Sequence, residues 1–275
     1  MKNIFSTIIL FILLILISCT KDKEASLHRY VVLSPEIAEI IYFLGVSDRI
    51  VGVTYECDYP EQLKNISSVG NFGSYSLEKI LSLNPSIVFT TSLEQNEITQ
   101  QLRRLNIETY QFYPSSIADL LGTIKEIGEI VDKVDVADSL ATYIESEINL
   151  LSVSNINGPK VYIEIYGNPI MSADNSSFLG QLLIYAGFQN IFPKLIRDYA
   201  MVNPEDVVIN NPDIIIITYP GVSADDVINR KGWNQINAVI NNKIFTVEHV
   251  DPDIILRATP RNIEGLKILR NLMDL

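Results

Sequence analysis

Two segments of this chain repeat one another 127 positions apart. Ser76–Thr91 reads SLEKILSLNPSIVFTT and Asn203–Thr218 reads NPEDVVINNPDIIIIT; aligned without gaps, five of sixteen positions are identical. Four of the others, Ile80/Val207, Leu81/Val208, Val88/Ile215 and Phe89/Ile216, exchange one apolar residue for another. Each copy is a helical stretch, an Asn-Pro break and a continuous apolar strand, the unit from which parallel α/β sheets are built. An internal duplication giving two related α/β halves is one reading of the likeness. Convergence of two ordinary helix–Asn-Pro–strand units is the other.

The rest of the chain keeps that alternation. Tyr30–Leu33 reads as a strand, and Ser34-Pro35-Glu36 opens a helix with an N-cap residue and a proline in the first turn. Apolar residues at helical spacing carry that helix to Gly45. Strands follow at Ile50–Val53, Ile87–Thr90 and Thr109–Phe112, with helices at Leu77–Leu83 and Ile98–Leu105 between them. From Ile117 to Val153 the period stays helical, with a break near Lys133–Asp135. The run Val134–Val153 predicts a long helix of ~30 Å. After Asn157-Gly158-Pro159 the alternation resumes. Strands are expected at Lys160–Ile165, Ile214–Thr218 and Ile244–Val247, and helices at Phe178–Ala186 and Ile263–Leu272. The fold class is therefore α/β, with two lobes of parallel-type sheet bridged by one long helix and a cleft between the lobes.

Met1–Asn3 leads into an apolar run from Ile4 to Ile17, ~21 Å as a helix and too short for the ~30 Å hydrocarbon core. With a basic start and a small residue before Cys19, residues 1–18 read as an export signal. Leu16-Ile17-Ser18-Cys19 looks like a lipobox, with Cys19 lipidated and residues 19–28 a tether. A single uncleaved membrane anchor is the alternative. The expected boundaries are then 29–133 for the first lobe, 134–154 for the bridging helix and 155–275 for the second lobe.

The chain carries 21 Lys+Arg against 33 Asp+Glu, and loss of residues 1–18 removes only Lys2. That balance disfavours nucleic acid, which is bound through Lys and Arg. With Cys19 lipidated, Cys57 has no disulfide partner and reads as a buried apolar residue. His28 and His249 are the only histidines, so no dedicated transition-metal site is expected. G-x-S-x-G, P-loop and HExxH patterns are absent, and no catalytic residue is assigned.

Several stretches together carry a family resemblance. They are LSPEIAEIIYFLG (Leu33–Gly45), IVGVTYECDYP (Ile50–Pro60), SVGNFGSYSLEKILSLNPSIVF (Ser68–Phe89), and GWNQINAVINNKIFTV (Gly232–Val247) followed by Pro260-Arg261. In this order and spacing the chain resembles the helical-backbone class of ABC-importer substrate-binding proteins, which deliver vitamin B12, iron-siderophores and haem. The resemblance covers Tyr30 to the C-terminus. It implies a monomeric binding protein rather than an enzyme. Such a receptor holds its ligand between two lobes and docks on the importer's permease, which an ATPase drives. It implies docking roles for Glu78 and Glu205, one on each lobe. It also implies cleft positions at Ser34, Pro35, Tyr55, Tyr59 and Phe72 on the first lobe, and at Tyr166, Tyr199, Asp253 and Arg257 on the second.

Tyr55–Pro60 and the SLEKIL segment resemble the vitamin B12 branch, so cobalamin is the expected ligand and no resident cofactor is expected. The sequence departs from that branch in having a single tryptophan, Trp233, away from the cleft positions. A ferric siderophore, met by Arg257 or Arg197, or haem, ligated by Tyr55, Tyr59 or His249, is the alternative cargo. Adhesion or sensing by an exported lipoprotein of this fold is a third reading.

Overall fold

The computed structural model describes residues 28–91, 95–153 and 158–274. The export segment, Cys19 and the tether up to residue 27 lie outside the described residues.

The first half builds β1 (Tyr30–Val32), α1 (Pro35–Phe43), β2 (Ile50–Thr54), β3 (Ser68–Asn71), β4 (Ser74–Tyr75), α2 (Leu77–Ser82), β5 (Ile87–Thr90), α3 (Asn96–Arg104) and β6 (Glu108–Gln111). Two helices follow, α4 (Ile117–Ile130) and α5 (Val134–Leu151). The second half contains β7 (Lys160–Glu164), β8 (Tyr166–Gly167), β9 (Ile170–Ala173), α6 (Phe178–Ala186), β10 (Gln189–Asn190), β11 (Tyr199–Met201) and α7 (Pro204–Asn210). It continues with β12 (Ile214–Ile217), α8 (Ala224–Ile228), α9 (Asn237–Ile240), β13 (Ile244–Phe245), α10 (Pro252–Leu256) and α11 (Asn262–Asp274).

The two copies of the repeated segment occupy equivalent places. The first sheet has the order β4-β3-β2-β1-β5-β6, parallel throughout except for the β3–β4 hairpin. The second has the order β10-β7-β12-β13, parallel throughout. The repeat strands β5 and β12 each lie directly beside the first strand of their half, β1 or β7, with all four residues buried. A separate antiparallel sheet, β11-β9-β8, has no counterpart among the described residues of the first half.

The long helical run divides as a hairpin. Val131 caps α4, and Asp132 takes a left-handed backbone (φ 60°) that turns the chain into α5. Helix α5 spans 18 residues and stops at Leu151, two residues short of the expected end, where Ser152 becomes extended. Its apolar face, Ala137, Ala141, Ile144 and Ile148, joins a core that runs without interruption from β1, α1 and β5 to β7, α6 and α11. Helices α4 and α5 approach closely at Gly128, where a Cβ would fall 2.3 Å from that of Ala137.

A second, polar connection joins the halves. Glu39 of α1 is fully buried and accepts two hydrogen bonds from Arg261, at 2.7 Å each. Arg257 lies 3.4 Å from the same carboxyl, 2.9 Å from Asp58 and 2.8 Å from Asp253. The Arg261 guanidinium also sits 3.9 Å over the Tyr59 ring. Burial alone would lower the pKa of either arginine; the acids around them reverse the sign and raise both.

Two outcomes follow for stability. Gly128→Val should destabilise by about 1–3 kcal/mol through overpacking, whereas Gly122→Ala, in the same helix with open space around it, should stabilise by about 0.5–1 kcal/mol. Glu39→Ala should cost about 3–5 kcal/mol because it leaves the buried Arg261 guanidinium without its carboxylate. Urea unfolding monitored by circular dichroism checks all three.

Candidate binding cleft

In parallel α/β sheets, loops at the carboxyl ends of strands surround the ligand crevice, beside the point where strand order reverses. Here those ends from both sheets converge on one cavity of about 270 Å³. Ser34 follows β1, Thr91 follows β5, Phe112–Ser115 follow β6, and Ile165 follows β7. Asp198 and Tyr199 enter at the start of β11, Phe178 at the start of α6, and Leu256 and Ala258 beside the end of α10.

Local hydrogen bonds fix this lining. Ser34 caps α1, accepting from the Ile37 N–H and donating to Glu36 at 2.6 Å. Gln95 ties the ends of β1 and β5 together, accepting from Thr91 N–H (2.9 Å) and donating to the Leu33 carbonyl (2.7 Å). Phe112 is held by its N–H to the Thr90 carbonyl (3.0 Å). On the opposite wall Ser177 caps α6 and presents Phe178, while Ser176 donates to Asp198 at 3.0 Å. Both halves therefore contribute aromatic lining, Phe112 and Tyr113 from the first and Phe178 and Tyr199 from the second. The charged lining residues are Glu36 and Asp198. Burial pushes the Tyr199 hydroxyl up to about 12.

Of the positions expected in the cleft, Ser34 and Tyr199 line this cavity. Pro35 is buried in the first turn of α1 behind it. Tyr55 and Arg257 line a neighbouring cavity, and Arg257 is engaged in the ion pairs with Glu39, Asp58 and Asp253. Tyr59 lies under Arg261, and Phe72 is half-buried, donating its N–H to Glu56 (3.1 Å). Tyr166 is exposed and packs at a tilt against Tyr219. The other named cargo contacts, Arg197 and His249, are exposed and outside the cavity lining. Phe112–Ser115, Phe178, Glu36 and Asp198 escaped the reading of the sequence. The strand-end rule applied to the predicted strand Thr109–Phe112 points to the first group; Phe178 and Asp198 leave no comparable signal.

Glu78 and Glu205 are exposed in the first turns of α2 and α7, and neither forms an ion pair among the described residues. Trp233 is fully buried, stacked edge-on to Tyr162 and under Arg230, which forms a bidentate pair with the buried Glu164. It belongs to the core of the second half.

Residues 31–250 match the family model described as periplasmic binding protein. A Bacillus subtilis (strain 168) protein described as an uncharacterized ABC transporter substrate-binding lipoprotein, YvrC, is 30% identical over 251 residues, covering 88% of this chain and 78% of that one. A vitamin B12-binding protein of Vibrio campbellii is 24% identical over 260 residues, covering 93% of each. Among solved structures, the periplasmic heme-binding protein RhuT from Roseiflexus sp. RS-1 has the same fold, with a TM-score of 0.80 at 23% identity over 90% of this chain and 99% of that one. The chain belongs to the periplasmic binding protein family, as a substrate-binding protein of the helical-backbone class that serves ABC importers.

Proposed function

We propose that this protein captures a corrinoid, of the cobalamin type, between its two halves and delivers it to an ABC importer, held to the membrane by lipid on Cys19. The observation that carries the ligand assignment is the cleft lining. Four aromatic side chains line it, two from each half, and its charged groups are both acidic. Aromatic faces suit a flat, apolar macrocycle. Haem brings propionates and ferric catecholates bring anionic oxygens, for which a cleft needs free Arg or Lys. Arg257 is occupied by three carboxylates instead. A corrinoid carries amide arms in place of carboxylates and avoids that conflict.

The cavity, at about 270 Å³, falls just below the usual ~300–1,000 Å³ range, so a corrinoid enters edge-first and stays partly outside. Haem is the second reading, supported by the likeness of fold to the Roseiflexus protein. The relatives are binding and transport proteins, and no catalytic role is assigned here. For docking, Glu78 and Glu205 are the two acids set equivalently by the repeat. On opposite halves they suit basic residues of a two-fold permease, fixing orientation and speeding encounter.

Calorimetric and thermal-shift titration of the purified protein with cyanocobalamin, haem and a ferric siderophore tests the cargo. Cyanocobalamin at one hundred times its Kd should stabilise by about 2.7 kcal/mol. No response to it, with a response to haem, replaces the corrinoid by the second reading. Glu78→Arg combined with Glu205→Arg should leave ligand affinity within twofold and abolish uptake into transporter proteoliposomes; retained uptake defeats the docking assignment.

A further inference from the structure

A second cavity of about 500 Å³ adjoins the cleft. Arg257 separates the two, because it sits in extended backbone where successive side chains point opposite ways. Leu256 and Ala258 face the cleft, and Arg257 faces the second cavity. The apolar wall of this cavity is Val53, Leu63 and Ile66, with exposed Tyr55 also in its lining. Its polar lining is Thr54, Glu56, Asp58, Lys64, Ser68 and Arg257, with Lys64 exposed.

The two acids differ in what they have left to offer. Asp58 is engaged by Arg257 at 2.9 Å. Glu56 Oε1 accepts the Phe72 N–H, but Glu56 Oε2 is shielded from solvent and has no hydrogen-bond partner among the described residues. A buried acceptor without a donor has lost its hydration uncompensated, so an arriving N–H group recovers the most free energy there. Cys57, at the same site, is buried with its thiol pushed up to about 12, which makes it wall rather than nucleophile.

We propose that this cavity is a second binding subsite. It takes a ligand arm that ends in an N–H donor, a primary amide or an ammonium, with the apolar stem against Leu63 and Ile66 and the head on Glu56 Oε2, which the half-exposed Glu56 side chain turns toward the cavity as the arm enters. The inference rests on the corrinoid reading for its natural occupant, since amide side arms are donors of this kind.

Two variants and two probes test it. Glu56→Gln keeps an acceptor for the Phe72 N–H but replaces the free acceptor with a donor, and Ser68→Trp fills the cavity from its rim. Each should weaken cyanocobalamin about tenfold, the loss of one buried hydrogen bond, with the melting temperature unchanged. Benzamide and its anionic isostere benzoate probe the cavity without the corrinoid. At millimolar concentration benzamide should shift the Leu63 and Ile66 methyl resonances of the wild-type protein, and benzoate should not. Both variants should lose the benzamide response. Wild-type cyanocobalamin affinity in both variants, or no benzamide response in the wild type, overturns the subsite. If cyanocobalamin fails to bind the wild type while benzamide still marks these methyls, the corrinoid reading falls and the subsite stands.

Discussion

The geometry of the cleft depends on one fully buried carboxylate. Glu39 projects from α1 of the first half, and Arg261, at the head of α11 in the second half, closes on both of its oxygens. A charge taken out of water is tolerated only when its partners are fixed, so this contact specifies one relative placement of the two halves. Arg257 shares Glu39 and reaches on to Asp58. The aromatic walls on either side of the cleft are therefore set by a polar connection at one end and by the continuous apolar core of α4, α5, α6 and α11 at the other. Two such connections, with no extended interdomain hinge strand among the described residues, favour small relative motion on binding.

The duplicated architecture accounts for where the chemistry lies. Each half turns the carboxyl ends of its parallel strands toward the other, so one crevice collects loops from both sheets. The halves then diverge. The first adds the β3–β4 hairpin, and the second adds the three-stranded antiparallel sheet from which Tyr199 enters the cleft. Glu78 and Glu205, the acids shared by the repeat, stay exposed on the outside while the inside becomes asymmetric.

Much of the fold was legible because long apolar runs have one interpretation. Ile214–Ile217 is buried on both faces and reads as a central parallel strand, and the Ser34-Pro35 cap fixes the start of α1. Elements of two or three residues, such as β8, β10 and β11, were not legible, because so few residues carry no period. Helix α3 begins two residues earlier than its apolar pattern, since Asn96 and Glu97 in its first turn are polar. The predicted strand Ile244–Val247 shortens to Ile244–Phe245. At the cleft, Ser34 and Tyr199 were readable, but Arg257 and Tyr59 were drawn into the contact between the halves. Their partner Glu39 lies on an apolar helix face, where a sequence shows only an acid among isoleucines.

The central claim is that ligand sits between the halves against the aromatic walls. Hydrogen exchange of the purified protein, with and without saturating cyanocobalamin, maps that contact segment by segment. The account predicts added protection at 33–36, 112–115 and 198–199 together, with α2, α7 and α8 unchanged. Protection confined to one half, or none in these three segments at saturation, would contradict it.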